Sequence, residues 1–280
     1  MRTRFAPSPT GHLHLGHIYA AQIAQHLAKK NQGQCLLRYE DIDETRTKEH
    51  FYQHIVEDLA FLDIHFPSSR LRQTSRTISY QTALTKLIQK ELVYPCFCSR
   101  KDIASELSSI VNAPHGPEGA LYPQTCLSLS KHEIDQRIAQ GQTPSWRLHT
   151  TNVKSQFPPL TFTDSLLGKT AVNFDLLGDV ILARKDIGTS YHIAVVVDDA
   201  YQCITHVSRG EDLLHSTHIH RVLQHALELP EPAYYHHPLI CDAHGKRLAK
   251  RHESQSIRHL RATGHSKKAI LNILPLLPLE

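Results

Sequence analysis

At 280 residues and 40% apolar content, the chain has room for one large domain or two of ordinary size around a proper core. Its net charge of +4 permits nucleic-acid binding without arguing for it, and its 22 histidines make that charge strongly pH-dependent below about pH 6.5. No run of roughly 18 apolar residues exists and Met1-Arg2-Thr3-Arg4 is not followed by an apolar leader, so neither a membrane span nor a secretory signal is expected, and the cytoplasm is the expected compartment.

In chain order, Thr3–Ala6 is short and β-like, and Pro7, Pro9 and Gly11 force a loop after it. Between His17 and Lys30, Ala20, Ala21, Ala24, Leu27 and Ala28 recur at three- and four-residue intervals, which predicts a helix ending at Gly33 with Lys29 and Lys30 in its last turn. Cys35–Tyr39 reads as a buried strand. Phe51, Ile55, Leu59 and Leu62 mark a second helix, and Leu84, Leu87, Ile88 and Leu92 a third. This alternation predicts an α/β fold built on a doubly wound parallel sheet of the Rossmann type. From about Pro95 to Leu182 the rhythm breaks into a Pro-, Ser- and Gln-rich stretch, read as an insertion. Periodic segments return at Val180–Arg184, Ile193–Val197 and Ile204–Val207; Leu213–Leu227 reads as helical and Ile257–Leu277 as short helices. The expected divisions are 1–94 and 183–253 for two halves of a nucleotide-binding domain, 95–182 for the insertion and 254–280 for a helical end. Cys96-Phe97-Cys98, in a chain of this compartment, suggests metal before disulfide.

Two segments carry chemistry. Pro9-Thr10-Gly11-His12-Leu13-His14-Leu15-Gly16-His17 runs from the first strand into the first helix, so backbone N–H groups and the positive end of the helix dipole meet there. Gly11 and Gly16 allow close backbone approach, and His14 and His17 can face one side and donate to a pentacovalent phosphate. Gly245-Lys246-Arg247-Leu248-Ala249-Lys250-Arg251-His252 places five cations in eight residues, counting His252 as a partial one, enough to clamp a leaving pyrophosphate. Taken singly, a Pro-rich turn with surface histidines and a solvated basic loop explain them equally well.

Taken together, and in this order, the two segments resemble the ATP-handling signatures of class I aminoacyl-tRNA synthetases. Arg4-Phe5-Ala6-Pro7-Ser8-Pro9-Thr10-Gly11 resembles the opening of glutamyl-tRNA synthetases almost residue for residue. Arg38-Tyr39-Glu40-Asp41-Ile42-Asp43, Tyr191-His192-Ile193-Ala194-Val195-Val196-Val197-Asp198-Asp199 and Val207-Ser208-Arg209-Gly210-Glu211-Asp212 resemble three further motifs of that family. The sequence stops roughly 30 residues after the basic loop, which leaves no room for an anticodon-reading domain. That length, and the pattern Cys96-x-Cys98 with Tyr122-x-x-x-Cys126, resemble the family's short paralogues, the glutamyl-queuosine tRNA(Asp) synthetases. Two departures stand out. Arg247 and Ala249 replace the usual Lys and Ser of the second ATP motif, and Val195 stands where full-length glutamyl enzymes often have Asn.

The resemblance implies an enzyme that activates L-glutamate with ATP and Mg²⁺ and transfers it to the queuosine base in the anticodon arm of tRNA(Asp), as a monomer. It implies His14, His17 and Lys250 as catalytic groups. Pro7, Ser8, Gly16 and Arg247 join them around ATP. Arg4 and Arg209 would take the glutamate side-chain carboxylate, which a guanidinium grips through both oxygens. Glu40 would take the ammonium, with Ala6, Ser8 and Tyr191 completing the pocket. One structural Zn²⁺ would sit on Cys96, Cys98, Tyr122 and Cys126, with His115 and His132 as rivals for the fourth place. Three alternatives remain: a shortened glutamyl-tRNA synthetase that charges a 3′ end, a small-molecule nucleotidyltransferase with a similar histidine loop, and a non-catalytic tRNA-binding module, against which the intact His14, His17 and Lys250 argue.

Overall fold

The computed structural model describes residues 1–109, 115–116, 119–240 and 256–277. In chain order the elements are β1 (Arg2–Phe5), α1 (Leu15–Lys30), β2 (Gln34–Tyr39), α2 (Glu49–Phe61), β3 (Leu71–Arg72), α3 (Thr77–Gln89) and β4 (Val93–Cys96). There follow α4 (Arg100–Ser109), β5 (His115–Gly116), β6 (Gly119–Ala120), α5 (Lys131–Ala139), β7 (Ser145–Leu148), α6 (Thr150–Gln156), β8 (Thr161–Asp164) and β9 (Gly168–Ala171). The last are β10 (Ile181–Ala183), α7 (Tyr191–Tyr201), β11 (His206–Gly210), α8 (Leu214–Ala226), β12 (Ala233–His237), α9 (Ile257–Ala262) and α10 (Lys267–Leu271).

β1, β2 and β3 pair in parallel, with Arg4 opposite Leu36 and Arg38 opposite Leu71. β11 and β12 pair in parallel in a second unit, Arg209 opposite His236. The units meet at β1 and β11, where Thr205 donates its N–H to the carbonyl of Arg2 at 2.9 Å. The strand order therefore runs outward in both directions from β1 and β11. In an open parallel sheet the crevice at such a reversal, beyond the carboxyl ends of the strands, is where ligands bind. Arg4 and Arg209 lie near those two strand ends.

The segment with no clear period contains two kinds of strand. β10, β7 and β4 form an antiparallel sheet of their own. β8 instead returns to the parallel unit: Asp164 pairs with Tyr234 of β12, and β9 folds back on β8 as a hairpin. Strands of three to five residues are too short to show a repeat, which is why β8, β9 and β12 left no periodic signature. Ile193–Val197, a β-branched run, lies inside helix α7. That helix is buried at Ile193, Ala194, Val195, Val196, Asp198 and Asp199, a nearly consecutive run of positions that puts apolar side chains on several of its sides. Gly33 does not supply the left-handed residue after α1; Gln32 does, with φ 49°. A Cβ on Gly33 would lie 1.9 Å from the carbonyl oxygen of Met1, so close backbone approach is what requires glycine there.

α9 and α10 cover the outer face of α1 and α2 through Ile257 and Ile270, both fully buried. Arg261 reaches the buried Asp58 at 2.6 Å. Ser256 forms an isolated bridge with His14, and Ile257 donates its N–H to Leu13 at 2.8 Å. Among the described residues no helix is long and apolar enough to cross a membrane.

Asp198, fully buried on α7, fixes that helix against α3 and the turn before it. Its carboxylate accepts from Tyr80 Oη at 2.7 Å, Arg76 Nε at 2.8 Å and Gln73 Nε2 at 3.1 Å. Asp198→Ala orphans three donors and is expected to cost about 3 kcal/mol of stability, read as a lower urea midpoint at unchanged slope.

Candidate active site

The loop leaving β1 supplies two surfaces. Glu40, at the end of β2, donates its N–H to the carbonyl of Pro7 at 3.1 Å, which ties the Ala6-Pro7-Ser8 segment to the second strand. Ser8 and Thr10 then line a cavity of about 410 Å³ together with Glu40, Asp43, Tyr191 and His192. Further along the same loop, His14 is the N-cap of α1. Its Nδ1 accepts from Gly16 N at 3.2 Å, and His17 Nδ1 accepts from His14 N at 3.2 Å. The rings are 3.8 Å apart between centroids. A ring nitrogen that accepts a hydrogen bond carries no proton, so each neutral imidazole holds its proton on Nε2 as a donor. The reciprocal cap thus sets both tautomers for donation at a helix N-terminus. Arg247 and Lys250 lie outside the described residues.

Below the cavity lies a charge network. Arg38, fully buried, donates to Asp199 Oδ1 at 2.7 Å, and Arg4 Nε reaches the same oxygen at 3.0 Å. Arg4 also donates to the carbonyl of Ser208 at 3.1 Å, and Arg38 Nη2 lies 3.5 Å from Glu40 Oε1. Two guanidiniums thus face two carboxylates. Burial alone would raise the Asp199 carboxyl, but Arg4 and Arg38 outweigh it and hold Asp199 below the usual range. For Glu40 burial wins, and its pKa is raised despite Arg38 and Arg4.

Arg209 differs. It is 5% exposed, and among the described residues no carboxylate pairs with it. Its partners are neutral: Tyr191 Oη at 3.3 Å, His220 Nδ1 at 3.1 Å, His236 Nε2 at 3.3 Å and Thr217 Oγ1. A buried cation without a counter-charge is costly unless a ligand provides one. Arg4 and Arg209 do not line the cavity; they stand behind Tyr191, whose phenol is raised by burial and moderated by Arg209 and Arg4. His192, His220, His236 and Asp164 belong to this site and went unnoticed in the sequence. His192 stood within the Tyr191–Asp199 motif without a role, His220 and His236 were signalled only by the abundance of histidine, and Asp164 by nothing.

In the insertion, Cys96, Cys98 and Cys126 bring their sulfurs within 4.8 Å of one another. Cys98 and Cys126 Sγ are 3.5 Å apart, and Tyr122 Oη lies 3.3 Å from Cys96 Sγ and 3.4 Å from Cys98 Sγ. A tetrahedral zinc with Zn–S near 2.3 Å has S–S edges of about 3.8 Å, and the donor set here spans edges of that order. Burial pushes the Cys98 thiol up to about 11 and the Tyr122 phenol well above its usual value, so ionising them requires a cation. His132 is not part of the gathered donors among the described residues, and the side chain of His115 lies outside them.

A parallel sheet with a capped anion mouth after its first strand, and a cleft at its reversal point lined by Glu40 and Asp43, is a framework that suits a nucleotide-dependent ligase. The family described as tRNA synthetases class I (E and Q), catalytic domain, matches residues 1–279, and the chain belongs to that family. The glutamyl-Q tRNA(Asp) synthetase of Rhodobacter capsulatus is 42% identical, covering 99% of this chain and 100% of the relative. That of Symbiobacterium thermophilum is 38% identical, covering 97% and 84%. The crystal structure of glutamate-tRNA synthetase from Elizabethkingia anophelis superposes with a TM-score of 0.76 at 27% identity, covering 95% of this chain and 54% of that one. A glutamate tRNA ligase from Elizabethkingia meningosepticum, in complex with its amino acid, gives 0.75 at 27% identity, covering 95% and 53%. The chain therefore spans about half the length of those solved structures.

Burial keeps His236 near a pKa of about 4, and holds His218, His220 and His237 below the ordinary histidine value. In the unfolded chain these rings take up protons near pH 6.5, so their contribution is full above that pH and is lost as pH falls; the share of His236 alone is roughly 3 kcal/mol, exhausted by about pH 4. Urea unfolding at pH 7, 6 and 5 is expected to show steadily falling stability with net proton uptake. A flat profile would mean that these rings take up protons in the fold as they do in the unfolded chain.

Proposed function

We propose that this chain activates glutamate with ATP and transfers the glutamyl group to the queuosine base of tRNA(Asp), acting as a cytoplasmic monomer. The observation that carries the glutamate reading is Arg209, a buried cation that has no carboxylate partner among the described residues, beside a cavity whose wall bears Glu40. A substrate with a side-chain carboxylate supplies the missing charge, and Glu40 receives its ammonium. Arg4 steadies the carboxylate end; Ala6, Ser8 and Tyr191 complete the pocket.

Activation needs no enzyme nucleophile. A carboxylate oxygen of glutamate attacks the α-phosphorus of ATP in line, the bond to the β-phosphate oxygen breaks, and pyrophosphate leaves with its Mg²⁺. His14 and His17, each with Nε2–H as donor, stabilise the charge gathering on the α-phosphoryl oxygens, with Pro7, Ser8 and Gly16 packing the loop against ATP. Arg247 and Lys250 hold the departing pyrophosphate; their segment rejoins the described chain at Ser256, beside His14. A hydroxyl of the modified base then attacks the carbonyl carbon of the adenylate and AMP departs. The base belongs to an anticodon arm presented between residues 95–182 and the nucleotide-binding halves 1–94 and 183–253, with 254–280 as a buttress. The similarity to the glutamyl-Q tRNA(Asp) synthetase of Rhodobacter capsulatus along its whole length supports this acceptor. A 34% identity to the glutamate–tRNA ligase 2 of Nitrosococcus oceani, of which 58% is covered, keeps a tRNA 3′ end as the second reading. Membership of the tRNA synthetase family removes the small-molecule nucleotidyltransferase.

Glutamate-dependent ATP–pyrophosphate exchange is expected without any tRNA, followed by transfer to queuosine-containing but not queuosine-free tRNA(Asp). Arg209→Gln is expected to lower kcat/KM for glutamate by at least ~10²-fold, as lost charge pairing in a desolvated pocket implies. Exchange that starts only on adding tRNA(Glu), with charging at its 3′ end, would favour the second reading.

Cys96, Cys98, Tyr122 and Cys126 fit one zinc, which would cross-link the start of the insertion and supply no reaction chemistry. Metal analysis of protein purified without chelator is expected to return one zinc per chain. Cys98→Ser is expected to lose it while ATP binding persists. A metal-free, fully active wild type would refute the assignment.

A further inference from the structure

We propose that Asp164 and His236 are positioning residues for Arg209, and that they act by fixing the tautomer of one buried imidazole. The proposal rests on the reading of Arg209 as the receiver of the glutamate side-chain carboxylate.

Asp164 ends β8, and its two oxygens have separate duties. Oδ1 accepts from the backbone N–H groups of Leu166 at 2.8 Å and Leu167 at 3.0 Å, so the hairpin turn prevents the carboxylate from rotating. Oδ2 accepts from the backbone N–H of His236 at 3.0 Å and lies 2.7 Å from His236 Nδ1. Asp164 is 1% exposed and its pKa is lowered: burial would raise it, but the His236 ring and the two amides prevail. An ionised carboxylate only accepts, so the imidazole proton must sit on Nδ1. That leaves a lone pair on Nε2, which faces the Oγ1 of Thr217 at 2.8 Å and the Nε–H of Arg209 at 3.3 Å.

The Nε edge of the Arg209 fork is therefore anchored by an acceptor whose orientation is decided one residue further away. The remaining edge faces Tyr191 and His220, and His220 Nε2 lies 3.2 Å from Nδ1 of His192 on the cavity wall. The chain from Asp164 to His192 crosses three strands and two helices, and Arg209 is its only permanent cation. A guanidinium that must meet a carboxylate through two parallel bonds needs its plane set beforehand. Asp164 does this at two removes, and its negative charge balances Arg209 in part without occupying the ligand's place.

Asp164→Asn tests the idea with little change of shape. With the amide oxygen kept by the Leu166 and Leu167 N–H groups, the amide NH₂ faces His236 Nδ1 and also the His236 backbone N–H, which loses its acceptor. The ring must then accept at Nδ1 and carry its proton on Nε2, pointing a donor at the donor of Arg209. In pyrophosphate exchange with the full chain, KM for glutamate is expected to rise at least ~10-fold while KM for ATP stays within about twofold. His236→Gln puts an amide oxygen where Nε2 stood and abolishes the tautomer choice. In that background Asp164→Asn is expected to add no further rise in KM for glutamate, the non-additivity of a shared path. Leu87→Ala, which removes buried core atoms on α3, serves as the stability control: its Tm falls with KM for glutamate unchanged.

The tautomer can also be read directly from ¹⁵N shifts of the ring signals absent in His236→Gln. Nδ1–H is expected in the wild type and Nε2–H in Asp164→Asn. An unchanged tautomer overturns the proposal, as does a parallel rise of both KM values, or a tenfold effect that persists in the His236→Gln background. A wild type with no glutamate-dependent exchange would overturn the functional reading, while the shifts still decide the tautomer.

Discussion

Burying a guanidinium with no anion beside it is among the most expensive things a fold can do, and among the described residues Arg209 is in that position at 5% exposure. The surroundings of the site are arranged around that cost. Arg4 and Arg38 share Asp199, so most of their charge is answered inside the protein. Arg209 is given only hydroxyl, phenol and imidazole acceptors, which satisfy its N–H groups without cancelling its charge. The result is a directed positive potential at the reversal point of the sheet. The chain's net charge of +4 over 280 residues does not disclose it.

The mouth of α1 follows the same economy. An ordinary helix would be capped by Ser, Thr, Asp or Asn. Here two imidazoles cap each other's backbone, and in doing so they use Nδ1 and leave Nε2–H as the donor face. A cap made from serine would satisfy the same amides but could not reach a phosphate. The hydrogen bonds that stabilise the helix end are thus the ones that orient the groups for chemistry, in the same sense that Asp164 orients His236.

Much of the architecture could be read from the sequence because α1, α2 and α3 are amphipathic and long enough to show a period. The parallel β1 and β2 were legible for a related reason: Pro7, Pro9 and Gly11 mark the loop between strand and helix. Short strands carried no such mark. β12 and the β8–β9 hairpin were invisible, and with them Asp164 and His236, since residues 72 positions apart meet only through strand pairing. The motif residues Ser8, Glu40, Tyr191 and Arg209 could be named because they resemble a family pattern. That Arg4 and Arg209 would be buried behind Tyr191, one neutralised and the other not, depended on Asp199, which the sequence offered only as one of two adjacent acids.

The seam between β1 and β11 has a consequence for how the protein is made. The hydrogen bond from Thr205 to Arg2 joins residues 203 positions apart. At synthesis rates of roughly 5–20 residues per second, the first strand waits on the order of 10–40 s for its neighbour. Throughout that interval one edge of β1 is unpaired, and the apolar faces of α1 and α2 are without Ile257 and Ile270, which emerge later still. Long-range parallel pairing is slow to form in any case. The nascent first half is therefore the stage at which this protein is most exposed to aggregation, and the stage at which a chaperone would have most to do.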